Sequence, residues 1–427
     1  MAEVRLSSPA VRFLFVTQVF WPENFRVNDL AAELVARGHE VTVLTGVPNY
    51  PEGAVFPAFR NSPETFSRYG GAEIVRIPII VRGTSRVQLM LNYLSYAVSA
   101  FVVGAWKLKG RSFDIIFIYE PSPVTVGLPA VLLRKAKRAA VILWVLDLWP
   151  DTLRAIGVVR SPWLLAAVGK LVSFIYDRCD LILGQSPGFI SKIRAYCSGP
   201  KRIEYFPSWA EALFAEAAAS ALPIDIPEAP DKLSLMFAGN IGEAQDFPTI
   251  LDAAEILRAE GKVRWLIVGD GRMSRWVATE VARRRLEDSV LLLGRHPVEA
   301  MPAFFRRADA MLVSLKDEPI FAMTIPGKLQ SYLAAGMPII AMLNGEGADV
   351  VERARAGLTC RAGDAQGLAA AALRMASMSR DERRAFGQNA LAANAAEFDR
   401  GRLITQFEQW CSELHARNGA VPARGRP

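Results

Sequence analysis

The sequence predicts an α/β protein built from two parallel-sheet domains, and three observations carry that expectation. The first is the stretch from Phe13 to Leu44. An apolar run leads into a loop, a helix-period segment follows with Leu30, Ala31, Leu34 and Val35 on one face, Gly38-His39 stops it, and a second apolar run begins at Val41. Strand, loop, helix, strand is a βαβ unit, the building block of a parallel sheet. The second observation is a fresh start of the same alternation at Leu233-Ser-Leu-Met-Phe-Ala-Gly239. The third is length, since 427 residues exceed what one hydrophobic core normally supports.

The other elements follow in order. Strands are expected near Ile74–Ile80, Ile115–Tyr119, Ala140–Leu146 and Leu181–Gly184, then at Val263–Val268, Val290–Leu293, Ala310–Val313 and Pro338–Ala341. Residues 1–209 form the first domain, the Ala- and Pro-rich residues 210–231 a linker, and 232–400 the second domain. A helix at 401–416 and a disordered tail at 417–427 complete the chain. A net charge of +7 with no long basic block argues against nucleic-acid binding and fits a phosphate-bearing ligand or an anionic membrane surface. Four cysteines without a C-x-x-C pair suit a reduced, cytoplasmic setting and disfavour zinc. The opening MAEVRLSSPAVR lacks the apolar core of a signal peptide.

Candidate site residues lie in the loops that follow strands. The loop after the first strand has no G-x-G-x-x-G, and it offers Glu23, Asn24, Arg26 and Asn28 to a polar ligand. In the second domain, Gly239-Asn240-Ile241-Gly242 precedes Gln245 and a helix starting at Pro248 or Thr249. Such a turn lets a diphosphate approach the backbone and the helix N-terminus, or it is an ordinary tight turn. Lys328 follows Pro326-Gly327 in the first turn of a helix that ends at Gly336. A cation there is electrostatically unfavourable unless an anion compensates, which favours a bound phosphate. Trp144-Val-Leu-Asp147-Leu-Trp149-Pro-Asp151 ends a buried strand with an acid among aromatics, a composition suited to sugars. Asp147 is either a helix cap or a site carboxylate, with Asp151 available for the capping role. Tyr119-Glu120 ends another strand and would line the acceptor side.

The loop at Trp21-Pro22-Glu23-Asn24, the following L-A-x-x-L-x-x-x-G-H-E-V-T-V and the downstream Pro48-Asn49-Tyr50-Pro51 resemble retaining glycosyltransferases of family 4, in their WbuB-like, colanic-acid-type branch. The T-I-P-G-K-L-Q-S-Y-L-A-A-G and D-L-W-P stretches are similar to motifs of the same branch. The resemblance spans about residues 12–412. It implies the GT-B architecture, two Rossmann-like domains facing across a cleft, with the helix Arg402 to Ala416 packed back on the first domain.

By that resemblance the second domain binds the nucleotide-sugar donor through Gly239, Asn240, Gly242, Gln245, Arg295, His296, Pro297, Pro326, Gly327, Lys328, Ser331 and Glu346. Asn240 and Gln245 stand where typical members have Arg and Lys, so Lys328 is the expected substitute. Ser331 occupies the place of a ribose-binding Glu, and Glu318 or Asp317 stands in for its acidic partner. Asp147, Glu23 and Glu318 make the catalytic set, and Asn24, Arg26, Glu120 and Trp149 the acceptor side. The reaction implied is metal- and cofactor-free transfer from a UDP-sugar, an N-acetylated 6-deoxyhexosamine or hexosamine, to a lipid-linked glycan of bacterial surface polysaccharide. Front-side attack would pass through an oxocarbenium-like state, with the leaving phosphate oxygen receiving the acceptor proton. The alternatives are a hydrolysing UDP-sugar epimerase and a non-catalytic Rossmann-type binding protein.

Val87 to Trp106 is twenty residues without a charge. Gln88, Asn92, Ser95 and Ser99 form one polar stripe on it, and Arg82, Arg86, Lys107, Lys109 and Arg111 flank it. Three readings stand: a spanning helix, a buried core helix and an interfacial helix. A spanning helix would divide the first sheet between two sides of a bilayer. The positive flanks and a lipid-linked acceptor favour peripheral attachment to the inner face of the plasma membrane.

Overall fold

The computed structural model describes residues 10–51, 53–83, 85–155, 157, 159–215 and 226–419. The chain forms two units, Met1–Phe206 with Gly401–Pro427, and Pro207–Arg400. Unit 1 holds eight strands: β1 (Arg12–Val16), β2 (Glu40–Gly46), β3 (Arg68–Tyr69), β4 (Ala72–Ile77), β5 (Ile115–Glu120), β6 (Ala140–Val145), β7 (Leu181–Gly184) and β8 (Ile203–Tyr205). Their order is β3-β4-β2-β1-β5-β6-β7-β8, parallel throughout except for the short β3–β4 pair.

Unit 2 holds β9 (Leu233–Ala238), β10 (Val263–Val268), β11 (Val290–Gly294), β12 (Ala310–Ser314), β13 (Ile339–Met342) and β14 (Gly357–Cys360). Its sheet is all parallel, in the order β11-β10-β9-β12-β13-β14. Strands β5, β6, β9, β10, β12 and β13 are buried along their whole length. That is why they read as continuous apolar runs rather than alternations. In each unit the winding reverses once, between β1 and β5 and between β9 and β12. Loops diverge at such switch points and leave a crevice beyond the carboxyl ends of the strands.

Several boundaries differ from the sequence reading. The strand expected to reach Ile80 stops at Ile77, because Pro78 has no N–H to continue the ladder. The short strands β3, β8 and β14 carry too few apolar residues to stand out. The proposed linker is partly core: Ala210, Phe214 and Ile226 are buried, and Phe214 stacks on Phe305 at 5.3 Å. Its middle, 216–225, lies outside the described residues. The last helix runs Arg400–Gly419, past the expected start of the tail, whose remaining residues 420–427 are also outside the described set. Phe407 of this helix meets Phe13, Phe117 and Phe206 at 6.3, 5.2 and 5.8 Å. Glu408 binds Arg37 and His39, so the helix is an integral part of unit 1.

The helix that starts at Arg86 and continues through a π-turn to Lys107 packs one narrow face and leaves most of its apolar residues outside. Asn92 and Ser95 of the polar stripe face the protein beside the buried Tyr96, Ala97 and Ala100, and Gln88 is exposed. Asn92, only 1% exposed, accepts from Gln18 at 2.6 Å and donates to the Ile80 carbonyl at 2.6 Å. Ser95 accepts from the Ile80 amide at 3.0 Å. The apolar residues Val87, Met90, Leu91, Leu94, Val98, Phe101, Val102 and Trp106 are exposed, Trp106 to 72%. The buried-core reading of this segment is therefore corrected. A contiguous exposed apolar face of this kind marks an interaction surface.

Candidate active site

At the carboxyl edge of the unit 2 sheet, the loops after β9, β10, β11, β12 and β13 come together. Gly239 and Gly269 adopt positive φ of 143° and 136°, and a Cβ on Gly269 would fall 1.9 Å from the Gly239 carbonyl oxygen. Backbone passes against backbone there, and only glycine fits. The side chain of Asn240 lies between the turns at Gly242 and Gly271. A short turn over Glu243–Gln245 and a left-handed Asp246 then start the helix Phe247–Ile256, one residue ahead of Pro248.

Lys328 enters this edge from the helix Gly327–Ala334, with Pro326 at the N-cap rather than inside the first turn. Its Nζ donates to Gln245 Oε1 and lies 3.9 Å from the centre of the Phe237 ring. Burial alone pushes its pKa down to about 7. Among the described residues a neutral amide and a ring face are its support, so the cation is short of an anion, and a diphosphate would supply it. One turn on, the Tyr332 hydroxyl accepts from the Ala238 amide at 3.0 Å, pinning the helix to the end of β9.

The other donor-side expectations separate. Arg295 lies within electrostatic reach of Asp270. His296 bonds the Leu293 carbonyl at 2.9 Å and packs on Phe304 beside the exposed Pro297, as a satisfied loop histidine does. The Ser331 hydroxyl turns back to the Gly327 carbonyl at 3.3 Å, so its helix, not a ribose, takes its proton. Glu318 caps the short helix Pro319–Ala322 by position without a side-chain cap bond, and Asp317 accepts from Asn344 at 2.8 Å. Glu346 opens the helix Glu346–Ala354 behind Gly345, where the helix dipole favours an acid.

In unit 1 the loops after β1, β2, β5 and β6 meet. Glu23 is 3% exposed and accepts three backbone N–H bonds, from Phe20 at 3.1 Å, Asn49 at 2.8 Å and Tyr50 at 2.7 Å. It thereby ties the W-P-E-N loop to the P-N-Y-P loop. Burial raises its pKa against those amides, and the nearby Arg76 is pushed down to about 10 by its own burial. This corrects the catalytic assignment of Glu23: its oxygens are already committed to the backbone. Asn24 is exposed, and Arg26 begins the helix Arg26–Ala36, its backbone meeting the Tyr119 hydroxyl.

Asp147 follows β6 and is held from several sides. Its oxygens accept from the Thr152 hydroxyl at 2.5 Å and the Trp149 indole N–H at 3.1 Å, and the Ser122 hydroxyl adds a further bond. Burial raises its pKa while these donors lower it. Asp151 instead bonds Tyr196 at 3.1 Å and Lys192 at 3.4 Å. Two acceptor-side expectations are corrected. Trp149 is 8% exposed, and its indole clamps Asp147 rather than offering an open face to a sugar. Glu120 is 0% exposed and cannot touch an acceptor.

The sequence reading also passed over residues that matter. Gly269-Asp270-Gly271, directly after an apolar strand, was a visible signal for a phosphate-approach turn. Ser122, at φ 128°, and Tyr93, whose ring meets Trp149 at 6.1 Å, carried none, since only the fold brings them to Asp147.

Comparison with known proteins agrees with this geometry. Residues 24–209 match the family described as glycosyl transferase 4-like domain, and 232–378 match glycosyl transferases group 1. A protein of Escherichia coli (strain K12) described as a colanic acid biosynthesis glycosyl transferase, WcaI, is 28% identical over 72% of this chain and 76% of its own. The glycosyltransferase WbjE of Pseudomonas aeruginosa is 26% identical over 61% of this chain and 66% of its own. Among solved structures, HepE of Anabaena in complex with UDP and glucose superposes with a TM-score of 0.65 at 14% identity, covering 94% of this chain and all of that one. The trehalose 6-phosphate synthase of Burkholderia multivorans gives 0.68 at 15% identity, over 98% and 100% of the two chains. The two matched families fill the two sheets in order, and the chain belongs to the family 4 glycosyltransferases of GT-B fold.

Proposed function

We propose that this glycosyltransferase transfers a sugar from a UDP-sugar, with retention of configuration and without a metal, to a lipid-linked glycan during bacterial surface polysaccharide synthesis. Unit 2 takes the donor, its diphosphate answering Lys328 and the Gly239–Gly242 and Gly269–Gly271 turns. Unit 1 takes the acceptor, which Asp147 orients. The structural likeness to HepE, solved with UDP, supports the donor class. The names of WcaI and of the amylovoran biosynthesis glycosyltransferase AmsK of Erwinia amylovora, 28% identical over 35% of this chain, support the pathway class.

The observation that carries the lipid half is the helix Arg86–Lys107, with Asn92 and Ser95 bonded to the protein and a broad apolar face outward. Such a face with basic flanks suits the cytoplasmic surface of an anionic membrane. The full chain should sediment with vesicles containing anionic phospholipid, less so at high salt. Changing the exposed Leu91, Val98 and Phe101 to Ser should abolish sedimentation and leave the melting temperature unchanged. Undiminished sedimentation of that variant would sink the reading. A thermal-shift panel of UDP, GDP, dTDP and CMP tests the donor class, since a bound nucleotide stabilises the fold by mass action.

A further inference from the structure

We propose that Glu120 and Asp147 share one ionisable proton, carried by Glu120, and that Glu120 is a positioning residue that keeps the acceptor site at a single negative charge. The functional part of this inference rests on the reading of Asp147 as the acceptor-orienting group.

The two side chains leave adjacent strands at one edge. Glu120 ends β5 opposite Val145 of β6, and its carbonyl accepts from the Leu146 amide at 3.0 Å. Its carboxyl group is enclosed; the backbone amide of Asp147 acts on it, and among the described residues no side chain bonds either oxygen. A native protein seldom leaves a buried carboxyl group so sparsely paired, so the site calls for an explanation. An ionised carboxylate in that position would bear most of the cost of desolvation, whereas a neutral acid would not. Asp147 is also raised by burial, but it differs in having side-chain donors that act against that burial. The Thr152, Trp149 and Ser122 donors stabilise its anion and fix its orientation. One charge therefore settles on Asp147, and the proton stays on Glu120.

The neighbours reinforce the division. Burial raises the Glu120 carboxyl well above its ordinary range, the charge of Asp147 raises it further, and the Asp147 backbone amide offsets only part of this. Tyr176, from the helix Pro162–Tyr176, faces the pair fully buried; its phenol is raised by burial first and then by Glu120, and Cys179 and Cys197 act on it in turn. Tyr93, from the helix Arg86–Ser99, faces Asp147, with Arg82 acting on its hydroxyl. Among the described residues no cation is found acting on Glu120 itself. Because its folded-state pKa exceeds the unfolded one, the native state keeps the proton longer. Stability then falls as pH climbs from the ordinary carboxylate range to the raised folded value.

Infrared spectroscopy of the full chain tests the proton directly. Wild type should show the carbonyl stretch of a protonated carboxyl at neutral pH, and E120Q should lack it. In D147N, with the neighbouring charge removed, that band should disappear at lower pH than in wild type. The melting temperature of wild type should fall with rising pH across this range, and that of E120Q should fall less. Absence of the band in wild type, or its persistence in E120Q, overturns the shared proton. Full sugar-transfer activity in D147N would instead overturn the acceptor reading, and the infrared result would still decide the pair.

Discussion

The two sheet edges solve the recognition of polar ligands in opposite ways. Unit 2 builds its edge from glycines whose backbones nearly touch and adds a buried cation, Lys328, that has no counter-charge among the described residues. Unit 1 builds its edge from side chains, and its charges are largely answered from within: Glu23 by three amides, Asp147 by hydroxyls and an indole. An edge with an unanswered charge is prepared for a ligand that supplies it. An internally satisfied edge is prepared to hold geometry. The contrast suits a donor that brings its own strong charge and an acceptor hydroxyl that brings none.

Substitutions test that contrast, beginning with the largest effect. If Asp147 orients the acceptor, Asp147→Asn should lower kcat about 100-fold, the usual scale for misplacing a reacting group. Donor affinity should not change, and a comparable loss in both quantities would break the contrast. Glu23→Gln removes the anion from three amides and from Arg76, and should destabilise the fold by about 2–3 kcal/mol in denaturant titrations. UDP affinity should survive it.

Lys328→Met should act the other way. UDP binding should weaken by about 1.5–3 kcal/mol in calorimetry, the range of a charge-assisted bond, while the ligand-free protein melts higher. A lower melting point would show that the lysine is satisfied without ligand. The smallest effect is in pH. With a pKa near 7 in the free protein, Lys328 must take up a proton to bind a diphosphate at higher pH. UDP affinity should hold below that value and decline above it, by at most about tenfold per pH unit. Proton uptake should appear as a dependence of binding enthalpy on the buffer. The sign is specific, since a fully exposed lysine would hold its affinity flat to far higher pH.

Sequence and structure agree most closely where a residue type has a narrow physical use. The apolar runs named the central strands because both faces of a parallel sheet are covered, and Gly239, Gly242 and Lys328 named the unit 2 edge because few conformations and few partners suit them. The unit 1 edge was read less well. Glu23, Glu120 and Trp149 have the composition of a sugar site, and composition does not say which way a side chain points. Ser122 and Thr152 gave no signal, being ordinary residues until the fold sets them beside Asp147. The helix from Arg86 was legible as amphipathic, while its outward apolar face needed the partners of Asn92 and Ser95.

The helix Arg400–Gly419 bears on how the molecule is made. Phe407 belongs in the same aromatic cluster as Phe13 and Phe117, yet almost three hundred residues separate it from the latter in the chain. A ribosome releases the amino-terminal sheet long before it releases its last helix, and domains fold as units during synthesis. Until then the Phe13–Phe117–Phe206 surface stands uncovered, and all of unit 2 must be synthesised in the interval. Nascent chains stalled before residue 400 should therefore expose a greasy site for chaperones that the finished protein hides, and removing the final helix should harm the first half of the sequence more than the half next to it.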